Sequence, residues 1–198
     1  MKTLIRLILA ATALVFSVSS LSAGEPPSIG YFDAITQEAA PVVGESYYLR
    51  HCLTYENAKP WRTTNYWVGL LVPINSKVTL VSQSTKKMQI RVEKTNQFID
   101  IENVQEYSQK DIATIAKNML TRQPVPIDKF DEKVAKNIGS GMLTLGMTKE
   151  QVVMTRGYPP GHKTPSLDGD RWQYWNSRFV IQTLVFQDGV LAQGRGLQ

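Results

Sequence analysis

Residues 145–161 read LGMTKEQVVMTRGYPPG, and residues 171–190 read RWQYWNSRFVIQTLVFQDGV. In the first segment, Thr148 and Gln151 match a capping box, because the threonine hydroxyl can accept a backbone N–H while the glutamine side chain reaches back. Gly157 and the two prolines that follow it do not continue a helix. The segment therefore predicts a short helix that begins at Thr148 and ends at Gly157.

The second segment predicts a three-stranded antiparallel sheet. Strands are expected at 171–175 and 178–187, and a closing strand is expected to begin at Val190. Asp188-Gly189 predicts a two-residue hairpin turn, because both residues tolerate a positive φ. A charged helix predicted at 129–137 precedes both segments. The C-terminal order is thus helix, helix and three strands, which predicts an α+β layer.

Short alternating apolar patterns dominate residues 46–105 and indicate a small β domain. The clearest pattern runs through Met88, Ile90 and Val92, which are separated by polar residues. Short strands at this density predict a small barrel or rolled sheet. The expected strands lie at 47–50, 66–72, 77–82, 87–93 and 97–101.

A change to helical periodicity predicts a helical connector at 106–126. Ser108 is expected to begin its helix, with Asp111 at the third position of a start that resembles a capping box. Pro124 and Pro126 are expected to end the connector, because proline interrupts helical hydrogen bonding.

The N-terminus has the layout of a secretory signal peptide. Lys2 and Arg6 precede an apolar run and a stretch of small residues, which predicts a signal peptide at 1–23. An uncleaved membrane anchor is the alternative interpretation. Gly24 stands where a bacterial lipoprotein signal has its lipidated Cys, so no lipid anchor is expected. Residues 24–45, which are rich in Pro and Gly, predict an extended arm.

Charge and composition argue against several functional classes. The chain has 22 Lys and Arg against 17 Asp and Glu. Removal of 1–23 takes away Lys2 and Arg6 and leaves 20 against 17, a balance of +3. Because this excess is small and not clustered, no nucleic-acid partner is expected. One Cys and two His leave too few ligands for a cysteine-rich zinc site, so neither a metal nor a cofactor is expected.

The pair His51 and Cys52 raises the alternatives of a metal ligand or a nucleophile. A zinc site needs three or four ligands, and His162 is the remaining histidine. A buried small apolar residue or an intermolecular disulfide partner is the simpler interpretation of a lone cysteine. The chain also lacks a phosphate-binding glycine loop and the serine and zinc hydrolase motifs. We therefore expect no catalytic residues and no enzyme activity.

Four separated motifs occur in the C-terminal part: LGMTKEQV at 145–152, GYP at 157–159, WQY at 172–174 and LVFQDGV at 184–190. Together they resemble the BamE/SmpA/OmlA family of small bacterial envelope proteins. The resemblance implies a BamE-like domain at 127–198 with a helix–helix–three-strand fold. The family's best-known member is an accessory lipoprotein of the outer-membrane β-barrel assembly machine.

The chain departs from that family in two respects. Gly24 replaces the lipidated Cys of the best-known members, and a long N-terminal part precedes the matching region. The N-terminal part has a looser similarity to bacterial Src-homology-3-like barrels, at VPINSKV in residues 72–78.

A candidate partner-binding surface combines a proline-rich loop at 158–165 with the following strand. The prolines make the loop stiff, so it presents side chains with little ordering cost. Strand alternation places Trp172 and Tyr174 on one face and Trp175 on the other. Two alternatives stay open: the loop only routes the chain, or the N-terminal part covers both faces. The candidate residues are Tyr158, Pro160, His162, Thr164, Trp175 and Arg178.

These patterns predict a non-enzymatic periplasmic protein that binds another envelope component. The resemblance implies that this component is a protein of the outer membrane or of its assembly apparatus. The alternative is a cell-wall-binding module, in which the N-terminal barrel holds peptidoglycan. The cleft expected for that ligand lies near Tyr47, Tyr48, Trp61 and Tyr66.

Overall fold

The structure is a computed structural model that describes residues 28–197. Within these residues the fold is mixed α+β, as predicted, with five α-helices and sheets of six, three and two strands. The predicted signal peptide and Gly24 lie outside the described residues. In the described part, no helix combines the length and the apolarity needed to cross a membrane.

The N-terminal part is built around a curled six-stranded sheet. Its order is β3-β7-β6-β5-β1-β8, and all its pairs are antiparallel except β3 with β7. The other two strands, β2 and β4, form a separate antiparallel pair. The strands are β1 (Ser46–Leu49), β2 (Leu53–Tyr55), β3 (Trp61–Arg62), β4 (Leu70–Val72), β5 (Lys77–Gln83), β6 (Lys87–Val92), β7 (Gln97–Glu102) and β8 (Leu120–Thr121).

The alternating pattern forms the core of this sheet as expected. Met88, Ile90 and Val92 are buried among the apolar residues of the neighbouring strands and of the connecting helix. The strand predicted at 66–72 is shorter, because only β4 is extended there. Gly69 has φ +93°, and a Cβ there would lie 2.1 Å from the Tyr55 carbonyl oxygen. This conformation, which favours glycine, interrupts the extended backbone before Leu70, where β4 begins.

Three helices accompany this sheet: α1 (Tyr31–Gln37) precedes β1, and α2 (Gln105–Ser108) and α3 (Ile112–Met119) lie between β7 and β8. Asp111 is the N-cap of α3, since its carboxylate accepts the Thr114 N–H at 2.7 Å. The prediction that Ser108 begins this helix is wrong. Its hydroxyl donates to Asn103 Oδ1 instead, at 2.7 Å, and the short α2 ends there.

The prediction of an extended arm at 24–45 is wrong for residues 31–37, which form α1. The sequence gives this helix no capping side chain; its N-terminus is held by Glu150, whose carboxylate accepts the Ile29 and Tyr31 N–H groups at 3.1 and 2.9 Å. Tyr31 and Ile35 are buried in the C-terminal core. A distant residue therefore determines this helix, and local composition does not reveal it.

The C-terminal part has the predicted order of two helices and a three-stranded sheet. Its elements are a 3-10 turn (Ile127–Lys129), α4 (Glu132–Gly139), α5 (Lys149–Arg156), β9 (Arg171–Ser177), β10 (Val180–Gln187) and β11 (Val190–Gly194). The helix predicted at 129–137 begins later, at Glu132. The Thr148–Gln151 capping box is present in both directions, at 3.2 and 2.9 Å. Asp188 and Gly189 have φ +50° and +78°, which confirms the predicted hairpin turn.

The two parts pack against each other along a continuous seam. The Cys52 N–H donates to the Met154 carbonyl at 2.9 Å. Asn65 Nδ2 donates to the carbonyls of Arg156 and Tyr158 at 2.7 and 2.9 Å. Because these bonds tie a main-chain N–H and a side-chain amide of the N-terminal part to main-chain carbonyls of the C-terminal part, the seam orients the three-stranded sheet relative to the N-terminal sheet.

Candidate functional site

The outward face of the three-stranded sheet is the first candidate surface. Its inner face carries Trp172, Tyr174 and Leu184, which are fully buried against the helices. Pairing places Arg171 opposite Val185 and Trp175 opposite Ile181 on the other face. Near Arg171 this outward face forms a shallow concavity of about 420 Å³, lined by Arg171, Thr183, Val185, Gln193, Gly194 and Arg195.

The outward face is basic. Arg171, Arg178 and Arg195 are exposed, and within residues 28–197 no carboxylate lies within ion-pair distance of them. The chain from 171 to 187 contains no Asp or Glu. The face thus combines apolar side chains with uncompensated guanidinium groups, a combination suited to an acidic partner.

The turn between β9 and β10 carries the most exposed large apolar side chain of the described chain. Phe179 is 87% exposed, and Val180 and Ile181 after it are 43% and 45% exposed. The Arg178 guanidinium lies 5.5 Å from the Phe179 ring centroid. Arg178 was predicted from the sequence, but the three apolar residues that follow it were not, although an apolar run beside a turn is a recognisable signal.

Trp175 is half-buried, because the N-terminal part covers its ring. Tyr66 stacks on it with ring centroids 5.7 Å apart, and Tyr107 and His162 contact it at 5.4 and 5.3 Å. Its indole Nε1 is inaccessible and has no hydrogen-bond partner in the described structure. Of the two residues named on this face, Arg178 is the exposed one.

The loop at 158–165 is held by the rest of the fold. Thr164 is buried, and its hydroxyl accepts the Gln173 N–H at 3.0 Å on the outer edge of β9. Pro160 is also buried, and its carbonyl accepts the N–H groups of Lys163 and Thr164. These contacts give Thr164 and Pro160 a local role in closing the sheet edge.

The two other loop candidates, Tyr158 and His162, lie at the seam. Burial raises the pKa of the Tyr158 hydroxyl well above its ordinary value. The half-buried His162 ring lies 4.8 Å from the Tyr107 ring, by centroids. The His162 backbone N–H donates to the Tyr107 carbonyl at 3.1 Å. His162 is the loop candidate whose ring contacts Trp175.

Arg156, which was not among the predicted site residues, is a buried cation at the same seam. Its Nη atoms donate to the amide oxygens of Gln182 and Asn176 at 3.1 and 3.0 Å. The guanidinium lies 4.3 Å from the Trp67 ring centroid and 5.5 Å from that of Tyr174. Burial lowers the pKa of Arg156 to about 10, so it is still charged at neutral pH.

A second candidate site is a cavity of about 290 Å³ beside the β2–β4 pair. Tyr55, Trp61 and Tyr66 line it, together with the charged side chains of Glu56, Lys59 and Arg62. Its wall includes Thr64, whose buried hydroxyl has no hydrogen-bond partner in the described structure. Two of the four aromatics named for the cell-wall alternative, Trp61 and Tyr66, thus share one cavity. Tyr47 and Tyr48 lie elsewhere, on β1.

Cys52 and His51 are both buried and belong to the core. The Cys52 thiol donates to the Ile138 carbonyl at 3.1 Å and accepts the Ile74 N–H at 3.2 Å. Burial raises the pKa of this thiol to about 11, which disfavours the thiolate that a nucleophile needs. Burial lowers the pKa of His51 to about 4. Among the described residues, no group of three or more His, Cys, Asp and Glu is placed to hold a metal ion.

Comparison of the chain with protein-family models, with curated proteins and with solved structures gave no match.

Proposed function

We propose that this protein is a non-enzymatic periplasmic protein that binds another envelope protein through the outward face of its three-stranded sheet. The observation that carries the proposal is the open basic face itself, on which Arg171 and Arg195 flank Val185 without a carboxylate partner in the described chain. A partner with an acidic, partly apolar segment complements this face. The signal peptide predicted at 1–23 and the resemblance to the BamE/SmpA/OmlA family support an envelope location.

The experiment is photo-crosslinking in cells from position 181, which lies beside Trp175 on the outward face. Ile181 is 45% exposed, and Phe98 on β7, 47% exposed, is the matched control position. We expect a crosslink to an envelope protein from 181 and not from 98. The same adducts from both positions would contradict the proposal, because they would reflect random encounters.

Two double charge-reversal variants test whether the positive charge of the outward face selects the partner. Arg171→Glu with Arg195→Glu is expected to abolish the crosslink from 181, because like charges then face the acidic partner. Lys133→Glu with Lys136→Glu is the matched control on the exposed side of α4 and should leave the crosslink intact. Equal crosslinking in both double variants would show that charge does not select the partner.

A cell-wall ligand in the 290 Å³ cavity is the second candidate function. The observation that favours it is the convergence of Trp61, Tyr66 and Tyr55 with hydroxyl and charged groups, since aromatic faces and polar side chains together suit a sugar. The test is sedimentation of the full protein with purified sacculi. Tyr66→Ala should reduce sedimentation, whereas Tyr48→Ala, a half-buried tyrosine outside the cavity, should not. Failure of the unaltered protein to sediment would exclude this function.

A further inference from the structure

Another cavity lies between α1 and the segment that follows β8. Its volume is about 390 Å³, which is in the range of sites that hold small molecules. Ile29, Ala34, Pro124, Val125 and Pro126 form its apolar wall. The cavity shares no lining residue with the outward face of the three-stranded sheet or with the 290 Å³ cavity, so neither proposed function uses it.

A buried guanidinium forms part of the wall of this cavity. The side chain of Arg50 is 3% exposed and lines the cavity. Its Nε donates to the carbonyls of Lys117 and Leu120 at 3.2 and 3.1 Å, and its Nη2 pairs with the Glu38 carboxylate. Within residues 28–197, no hydrogen bond reaches its Nη1. Because an unpaired buried donor is costly, an acceptor in the cavity would be stabilised by this nitrogen.

Glu38 places a fixed negative charge beside that guanidinium. One oxygen of its carboxylate accepts the Thr121 hydroxyl and the Arg122 N–H at 2.8 and 3.0 Å, and the other pairs with Arg50. These bonds hold the carboxylate in place, while a quarter of the Glu38 side chain is still exposed at the cavity wall. The cavity thus has one cation and one anion side by side, and their formal charges cancel.

We propose that this cavity binds a free α-amino acid with an apolar side chain. The ligand carboxylate accepts from Arg50 Nη1, the ligand ammonium donates to Glu38, and the ligand side chain contacts the apolar wall. A simple anion would be repelled by Glu38 and a simple cation by Arg50, so a ligand with both charges on one carbon complements the site best. The inference does not depend on the proposed protein partner.

Three ligands with the same apolar group test the charge pattern by isothermal titration calorimetry with the full chain. They are L-leucine, L-leucine amide, which lacks the carboxylate, and 4-methylpentanoate, which lacks the ammonium. L-leucine is expected to give a saturable signal at millimolar concentration or below. Each analogue should bind about tenfold or more weakly, because each loses one charge-assisted contact. No saturable binding of L-leucine, or equal binding of 4-methylpentanoate, would overturn the inference.

A substitution that fills the cavity tests its position. Arg50→Met is unsuited to this purpose, because it also removes the bonds to two main-chain carbonyls. Ala34 is an exposed residue of α1 that lines the cavity, and Ala113 is an exposed alanine of α3 outside it. Ala34→Phe should raise the Kd for L-leucine about tenfold or more, since its ring occupies the volume of the ligand side chain. Ala113→Phe is the matched control and should leave the Kd unchanged. An Ala34→Phe protein that binds L-leucine as the parent does would place the ligand elsewhere and overturn the inference.

Discussion

Replacement of the buried cation at the seam is the sharpest test of how the two parts are held together. Arg156 is 4% exposed, and its neighbours are neutral: the amide oxygens of Gln182 and Asn176 and the ring of Trp67. Arg156→Met keeps much of the side-chain volume and removes the charge together with both hydrogen bonds. It leaves the two amide oxygens facing a thioether.

The expected effect is the balance of opposing contributions. The lowered pKa of Arg156, about 10 against an ordinary 12.5, corresponds to a desolvation penalty of roughly 3 kcal/mol, which the substitution relieves. Two hydrogen bonds to a charged donor contribute about 1.5–3 kcal/mol each, and a desolvated cation–π contact contributes about 2 kcal/mol. The losses exceed the relief, so Arg156→Met should lower the free energy of unfolding by about 2–5 kcal/mol.

Urea unfolding at pH 7, followed by tryptophan fluorescence, measures this difference, with an expected decrease in midpoint of about 1–2 M. Arg122→Met is the matched control, because Arg122 also lies over a ring, Tyr47 at 5.5 Å, and pairs with Glu45 at 2.7 Å, but is exposed. The control should change stability by less than about 1 kcal/mol. An Arg156→Met protein as stable as the parent, or more stable, would refute the reasoning, because desolvation would then outweigh the contacts.

Three other predictions concern the seam and the core. Because His51 is buried with a pKa of about 4, against an ordinary 6.5, the unfolded chain binds a proton there before the folded one does. The free energy of unfolding should therefore fall by about 3 kcal/mol as the pH drops from 7 to 4, and His51→Gln should remove most of this slope in urea titrations. Gly157→Ala should destabilise by about 2 kcal/mol or more by the same assay, since φ is +72° and the new Cβ would lie 2.9 Å from the His51 ring. Cys52 should resist alkylation in the native protein and react on unfolding, with labelling followed by mass spectrometry; rapid native labelling would show that the thiol is accessible.

The features predicted correctly depend on neighbours in the chain. The Thr148–Gln151 capping box, the Asp188–Gly189 turn and the alternating strand at 87–92 each follow from residues within a few positions of one another. Local conformation and side-chain period are sufficient to specify such elements. Helix α1 was not predicted, because the Glu150 carboxylate that accepts its Tyr31 N–H lies 119 positions away in the chain. The start of α3 was placed at Ser108 in error although its N-cap, Asp111, is a local residue.

The candidate site likewise combines features that neighbouring residues determine with features that distant contacts determine. Alternation alone separates Trp175 from Trp172 and Tyr174, and the structure agrees with that separation. Alternation does not reveal which face a second layer covers. Contacts between Tyr66 and Trp175, and between Asn65 and Arg156, join residues about a hundred positions apart, so packing decides them.

The sequence by itself determined the mixed α+β class, the order of the C-terminal elements and the residues that face the sheet interior, because these follow from period and turn chemistry. The tertiary structure alone decided that the loop at 158–165 supports the sheet edge and that Trp175 is covered. It also decided that Phe179 is left at an exposed hairpin end. The physical reason is that the burial of a side chain depends on which distant part of the chain packs against it. The free energy of that contact depends on the side chains of both surfaces, so one of them alone does not determine it.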